Sequence, residues 1–184
     1  MILASNSPRR KEILSRHIKG FKVISPNFDE DKIEKKSYTP DKYVEVLSYH
    51  KALSVSLKYP LETIIAADTV VVLEGIIYGK PKDKKDAFET LTKLSNKTHQ
   101  VMTGITVSSH GQNLTRHVVS DVTFKPLTDK EINAYIDTLE PMDKAGSYAI
   151  QGLGASLVLS YEGSLDNIIG LPLDTVIEMI KMVE

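Results

Sequence analysis

Two arginines and a lysine follow a serine and a proline in Ser5-Asn6-Ser7-Pro8-Arg9-Arg10-Lys11. Ser7 is a helix-capping residue and Pro8 suits a first helical position, so a helix is predicted from here to about His17. A helix start already carries partial positive charge, and each added cation there costs about 0.3–1 kcal/mol. Stability alone would place Asp or Glu in that turn. Cations make sense if an anion docks on the free N–H groups and guanidinium forks, as phosphate does. A plain Ser-Pro helix start with solvated arginines is the competing explanation, and it serves Ser7 and Pro8 better than it serves adjacent arginines.

Asp68 sits inside the apolar run Ile64-Ile65-Ala66-Ala67-Asp68-Thr69-Val70-Val71-Val72. An ionised carboxylate there is expensive unless it is paired or bound to a cation. Such a residue suits a catalytic base or a divalent-metal ligand. A strand-end cap is the bland alternative, but no turn residue follows until Glu74-Gly75. Lys80, in Tyr78-Gly79-Lys80-Pro81, leaves a turn whose path Gly and Pro restrict, and it can reach back to a phosphate; a solvated turn lysine is the usual case. Gln151 lies in the small-residue segment 143–155, which holds three glycines. Its amide offers a donor and an acceptor together, the pairing that reads a nucleobase edge. A Gly-rich connection explains the same composition. Asp29-Glu30-Asp31 falls in a polar stretch and offers a metal carboxylate, although such triplets are usually solvated. Lys51 falls on a helix, where a lone lysine is more often exposed than functional.

The elements that must position these residues alternate. Strands are predicted at 2–5, 21–25, 63–73, 76–78, 100–109, 113–124 and 156–161, and helices from Pro8 to about His17, from Pro40 to about Tyr59, and at 83–95, 128–139 and 173–183. The segment 27–36 is polar and reads as a mobile loop. Residues 63–73 are nearly continuous apolar sequence, the mark of a central strand buried on both faces. Hairpins at Glu74-Gly75 and His110-Gly111-Gln112 interrupt any purely parallel scheme. The expected class is α/β: one domain over residues 1–184 with a mixed, twisted sheet flanked by helices.

Composition excludes several alternatives. The chain has 184 residues, 41% hydrophobic and 26% charged, which removes disordered and fibrous classes. It has no cysteine, so thiolate nucleophiles, disulfide scaffolds and Cys-ligated metal are out. Its net charge is −1, so no global field draws it to nucleic acid or an anionic membrane. The five histidines are scattered without an i, i+4 pair. No P-loop, dinucleotide fingerprint or nucleophile elbow occurs. The N-terminal apolar stretch is too short for a signal peptide, and no run has the length of a membrane span. A soluble, cytoplasmic protein without stable nucleic-acid binding is expected.

Five segments in order resemble the Maf family of nucleoside triphosphate pyrophosphatases: SNSPRR at 5–10, AADTVV at 66–71, GKP at 79–81, EPMDKAGSYAIQGLGA at 140–155 and NIIGLPL at 167–173. The resemblance covers essentially the whole chain. It implies a Maf/ITPase-like fold with two lobes around a central cleft, commonly a homodimer. It also implies hydrolysis of a nucleoside triphosphate to the monophosphate and pyrophosphate with a divalent cation, Mg²⁺ or Mn²⁺. Carried over, Asp68 is the proton acceptor and a metal ligand with Glu30. Ser7, Arg9, Arg10, Lys51, Thr69, Lys80 and Gln151 bind substrate. Arg9, Thr69 and Gln151 also occupy the positions where subfamilies differ, and this trio resembles the branch acting on dTTP and UTP. The branch acting on 7-methyl-GTP is similar but tends to carry Trp for Arg9 and Gln for Thr69. Ala149 departs from the glycine frequent before Ile-Gln-Gly. A binding protein that inhibits septum formation, without catalysis, is the reading from a different class.

Overall fold

The computed structural model describes residues 1–183. Strand β1 (Ile2–Ala4) runs parallel to β2 (Lys22–Ile24) and to β3 (Ile64–Leu73). β3 pairs antiparallel with β4 (Ile76–Tyr78) and with the long β5 (Thr98–Ser109). β5 forms a hairpin with β6 (Gln112–Phe124), and β7 (Val158–Glu162) closes the far edge. The sheet order is β2-β1-β3-β5-β6-β7, with β4 attached to β3. This is the mixed α/β sheet that the alternating pattern and the two hairpins predict.

The helices cover both faces. α2 (Pro40–Ser56) lays Tyr43, Val44 and Leu47 on Val70, Val72 and Met102, and Ala52 and Val55 on Ile2, Ala4, Ile64 and Ala66. On the opposite face α1 (Pro8–Ser15) and α6 (Leu173–Val183) bring Ile13, Leu14, Val176 and Met179 against Leu3, Ile65, Ala67 and Ile105. Beyond them, α3 (Lys84–Leu94) and α4 (Asp129–Asp137) pack Leu91, Leu94, Ile132 and Ile136 on Val71, Leu73 and Phe124. Every residue of β3 except Thr69 is buried. Each large apolar side chain so removed from water contributes about 1.5–3 kcal/mol.

Strand alternation sorts the faces. Ala66, Asp68 and Val70 point toward α2. Ile65 and Ala67 join one cluster on the other face, Val71 and Leu73 join another, and Thr69 falls between them. The two clusters on that face meet at that point.

The edge of β3 explains where the fold opens. β5 lines one edge along residues 64–72. On the other edge β1 pairs only with residues 64–66 and β4 only with 71–73. Residues 67–70 therefore lack a strand partner on that side. Open α/β sheets take ligands beyond the carboxyl ends of their strands, and β1 ends beside this gap.

Two expectations need correction. The segment 27–36 is not featureless: it holds one-turn 3₁₀ helices at Glu30–Lys32 and Lys35–Ser37, the first capped by the Asp29 side chain accepting from Asp31 N–H at 3.2 Å. The last strand begins later than expected, because residues Leu153–Leu157 wind into a 3₁₀ turn first. Among the described residues no helix is long and apolar enough to cross a membrane.

Candidate active site

The gap in β3 opens into a cleft of about 470 Å³. Ser7, Arg9, Arg10, Glu30, Lys51, Asp68, Thr69, Lys80 and Gln151 all line it, although they come from distant parts of the chain. Arg9, Arg10, Lys35, Lys51, Lys80 and Lys144 line it against Glu30, Asp31, Asp68 and Asp143. A chain of net charge −1 thus concentrates a cationic surplus in one concavity, which suits a polyanionic ligand.

Lys51 is the centre of the site. The lone-lysine reading expects it exposed, but it is 7% exposed, and Asp68 is 8% exposed. Its Nζ donates to Asp68 Oδ1 at 2.5 Å and meets Glu30 Oε1 at 2.8 Å. The geometry follows from periodicity. Val44, Leu47, Lys51 and Val55 form one stripe of α2, so Lys51 must face the sheet. Asp68 points toward the same helix between Ala66 and Val70. A buried ammonium and a buried carboxylate compensate each other where either alone would be costly. Asp68 Oδ2 has no partner among the described residues.

Glu30 is still 53% exposed, so the triplet remains largely solvated, but the 3₁₀ turn brings its carboxylate to Lys51. Burial works to raise its pKa, but the charge and hydrogen bond of Lys51, with Lys80 and Arg10 beyond, hold it below its ordinary 4.5. Tyr43, on the same stripe as Lys51, also lines the cleft. Burial, then the charges of Asp68, Glu30 and Asp31, push its phenol up to about 12, so it remains a protonated donor at neutral pH.

At the helix start, Ser7 caps α1 as predicted, accepting from Arg10 N–H at 3.4 Å. The two arginines then part. Arg9 and Lys80 have no hydrogen bond or ion pair among the described residues, so both cations are uncommitted. Arg10 is half-buried and spans the gap in the sheet. Its Nη1 donates to Ala67 O at 2.8 Å, its Nε to Gly170 O at 2.8 Å and its Nη2 to Thr69 Oγ1 at 3.1 Å. It supplies the donor that a longer β1 would have offered Ala67. Burial lowers its pKa, with Asp68 opposing, yet a guanidinium stays charged. Thr69 Oγ1 also meets Thr103 Oγ1 at 2.9 Å, so this hydroxyl is engaged within the protein.

Arg10→Ala and Lys80→Ala should therefore differ. Both are expected to weaken use of a triphosphate. Only Arg10→Ala should also cost stability, about 2–4 kcal/mol, because it strands the carbonyls of Ala67 and Gly170. Thermal unfolding and kcat/KM of the two variants check this. Equal melting temperatures would remove the structural role, and unchanged kcat/KM in both would remove the phosphate site.

The partner of Arg10 that the sequence reading missed is the short helix α5 (Leu165–Ile169), which ends at Gly170. Its start carried a signal, since Ser164 caps it by accepting from Asn167 N–H at 3.2 Å.

A family model described as Maf-like protein matches residues 1–183. The chain belongs to the Maf family. Curated relatives named dTTP/UTP pyrophosphatase are similar over nearly its full length. The one from Latilactobacillus sakei is 44% identical over 98% of both chains. The one from Pyrococcus furiosus is 45% identical over 99% of this chain and 94% of its own. The one from Alkaliphilus metalliredigens is 50% identical over 94% of this chain and 90% of its own. Among solved structures, the Staphylococcus aureus Ham1 protein overlaps 67% of this chain and 70% of its own, at 20% identity and a TM-score of 0.45. In this Maf protein the five matching segments all reach the cleft: 5–10, 66–71 and 79–81 directly, 140–155 through Asp143–Gln151, and 167–173 through Ile168, Ile169 and Gly170.

Proposed function

We propose that the chain is a nucleoside triphosphate pyrophosphatase acting on dTTP and UTP. The observation that carries the reading is one cleft that a buried Lys51–Asp68 pair shares with the uncommitted cations Arg9 and Lys80 and with Gln151. The names of the relatives support the same chemistry and the same bases.

Arg9, Lys80 and the α1 start bind the triphosphate, and Arg10 holds that start against β3. Asp68, fixed through Oδ1 by Lys51, accepts a hydrogen bond from water at Oδ2 and directs its oxygen at the α-phosphorus. The α–β bridging bond breaks, pyrophosphate leaves with the electron pair, and the water proton passes by way of Asp68 to solvent. Catalysis here is positioning and charge stabilisation.

A divalent cation belongs to this proposal. Among the described residues no group of three or more His, Asp or Glu converges. Asp68 and Glu30 stand together, and Mg²⁺ commonly takes one or two carboxylates plus substrate phosphate oxygens. These two carboxylates would hold Mg²⁺ or Mn²⁺, which supplies neutralisation of the phosphate charge. A homodimer comes with the family resemblance and a cytoplasmic location with the sequence reading above, and both belong to the proposal.

Thymine and uracil present two carbonyls flanking an N3–H. Gln151 accepts from N3–H and donates to one carbonyl, and Arg9 donates to the other or to phosphate. Cytosine lacks that N3–H, and a mismatched edge leaves the site's own polar groups unpaired. A panel of nucleoside triphosphates, read as pyrophosphate release with and without EDTA, is expected to show kcat/KM for dTTP and UTP well above ATP, GTP and CTP, abolished by the chelator. A value for GTP or 7-methyl-GTP at or above that for UTP overturns the substrate assignment. Absent release overturns the reaction, and a septation effect surviving in an inactive variant would support the binding role instead.

A further inference from the structure

Gln151 sits in a segment outside any helix or strand, between Ala149 and Gly152. Two side chains outside the cleft hold both ends of it. Tyr135, on α4, donates from its hydroxyl to Glu140 Oε1 at 2.9 Å and accepts from Ala149 N–H at 3.2 Å. Glu140 accepts from Gly154 N–H at Oε1, 2.9 Å, and from Leu153 N–H at Oε2, 3.1 Å. Ile150 and Gln151 are thus suspended between backbone groups tied to one hydrogen-bonded pair. Neither Tyr135 nor Glu140 lines the cleft.

The glycines are an independent sign that this arrangement is built. Gly152 has φ +88°, and a Cβ there would stand 2.7 Å from Glu140 Oε2. A Cβ on Gly154 would stand 2.3 Å from Ala149 O and 2.6 Å from Tyr135 Oη. Gly152 is needed for its positive φ, and a side chain on Gly154 would meet the Ala149 carbonyl first and the Tyr135 phenol next. The protonation states agree with the bonds. Burial, and then the hydrogen bond to Glu140, raise the Tyr135 phenol far above its usual range, so it stays a donor. Burial opposes ionisation of Glu140, but the Gly154 and Leu153 amides, Tyr135 and Lys144 outweigh it and hold its carboxyl below 4.5.

We propose that Glu140, acting with Tyr135, is a specificity-determining positioning residue that fixes Gln151 in the register where its amide meets the base. This rests on the reading of Gln151 given above. Discrimination by paired donors and acceptors needs their geometry held, and displacement of about 1 Å in a positioned group costs about 10²-fold in favourable cases. Phosphate binding and the Lys51–Asp68 pair lie elsewhere, so loosening this segment should reach the base and spare the chemistry.

The test compares Tyr135→Phe, Glu140→Gln, Gln151→Ala and the Glu140→Gln/Gln151→Ala double variant on UTP and CTP. Tyr135→Phe removes one hydroxyl and keeps the ring, so it carries the test if Glu140→Gln does not fold. Both clasp variants are expected to keep kcat for UTP within about twofold, to raise its KM about tenfold and to shrink the UTP-over-CTP preference about tenfold. The double variant should show no smaller a preference than Gln151→Ala alone, as coupled residues do. A preference lost in Gln151→Ala but intact in the folded clasp variants overturns the clasp and leaves the base reading standing. Equal loss of kcat on both nucleotides at unchanged preference also overturns it, marking a merely structural role. A preference unchanged in Gln151→Ala overturns the base reading and the clasp together.

Discussion

Asp68→Asn is expected to fold as the native chain does and to lose about 10²–10⁴ in kcat. The substitution keeps size and shape, and the amide oxygen can still accept from Lys51 Nζ, which now stands 2.5 Å from Oδ1. What disappears is the negative charge and the free acceptor at Oδ2. If Asp68 were only a structural partner of Lys51, the variant would lose some stability and keep its turnover. Melting temperature and single-turnover rate measured on the same preparation separate these cases. A folded variant with near-native kcat refutes the assignment. The substitution also probes the cation. With Asp68 neutral, only Glu30 of the pair stays charged, so the metal concentration giving half-maximal rate should rise in whatever activity remains.

Much of this site was legible before any coordinates, and the reason is strand and helix periodicity. The β-branched run around Asp68 announces a central strand, and a carboxylate within it has to be explained. The burial of Lys51 was legible too, but only by extending the stripe Val44, Leu47, Val55 through it; judged alone, a helix lysine reads as solvated. Glu30 was harder. Its direction depends on a one-turn 3₁₀ helix in a segment whose composition says loop. The role of Arg10 was out of reach. Its acceptors at Ala67 and Gly170 are backbone carbonyls, which carry no side-chain signature, and Gly170 is 160 residues away. The gap in β3 that Arg10 fills arises because β1 is short and β4 ends at Tyr78, opposite Val71, a property of register that no local pattern encodes. Glu140 heads the segment 140–155, and nothing in its own neighbourhood in sequence marks a role for it. Its work is done on the N–H groups of Leu153 and Gly154, again backbone.

Lys51→Met should be the most damaging single change, because it removes the charge that lets two carboxylates share one place. Methionine is one atom shorter but keeps an unbranched apolar stem on the α2 stripe, so packing is largely preserved while Asp68 and Glu30 are left facing each other. Breaking a buried pair by removing one member costs about 3–5 kcal/mol, and the lower end applies where a cleft admits water. Activity should fall at least about 10²-fold, since Asp68 loses the group that orients it. The pH dependence gives the sharper check. The Glu30 pKa is depressed in the folded protein, so its pairing stabilises fully above the unfolded value of 4.5 and is lost as pH falls through the folded value. Without Lys51, burial is opposed only by more distant Lys80 and Arg10, and that contribution largely vanishes. The stability gap between native protein and variant should then be widest near neutral pH and narrow below pH 4.5. Denaturant unfolding of both proteins across that range measures it. A gap that stays constant, or a variant as stable as the native chain at neutral pH, would show that Lys51 does not hold the two carboxylates together.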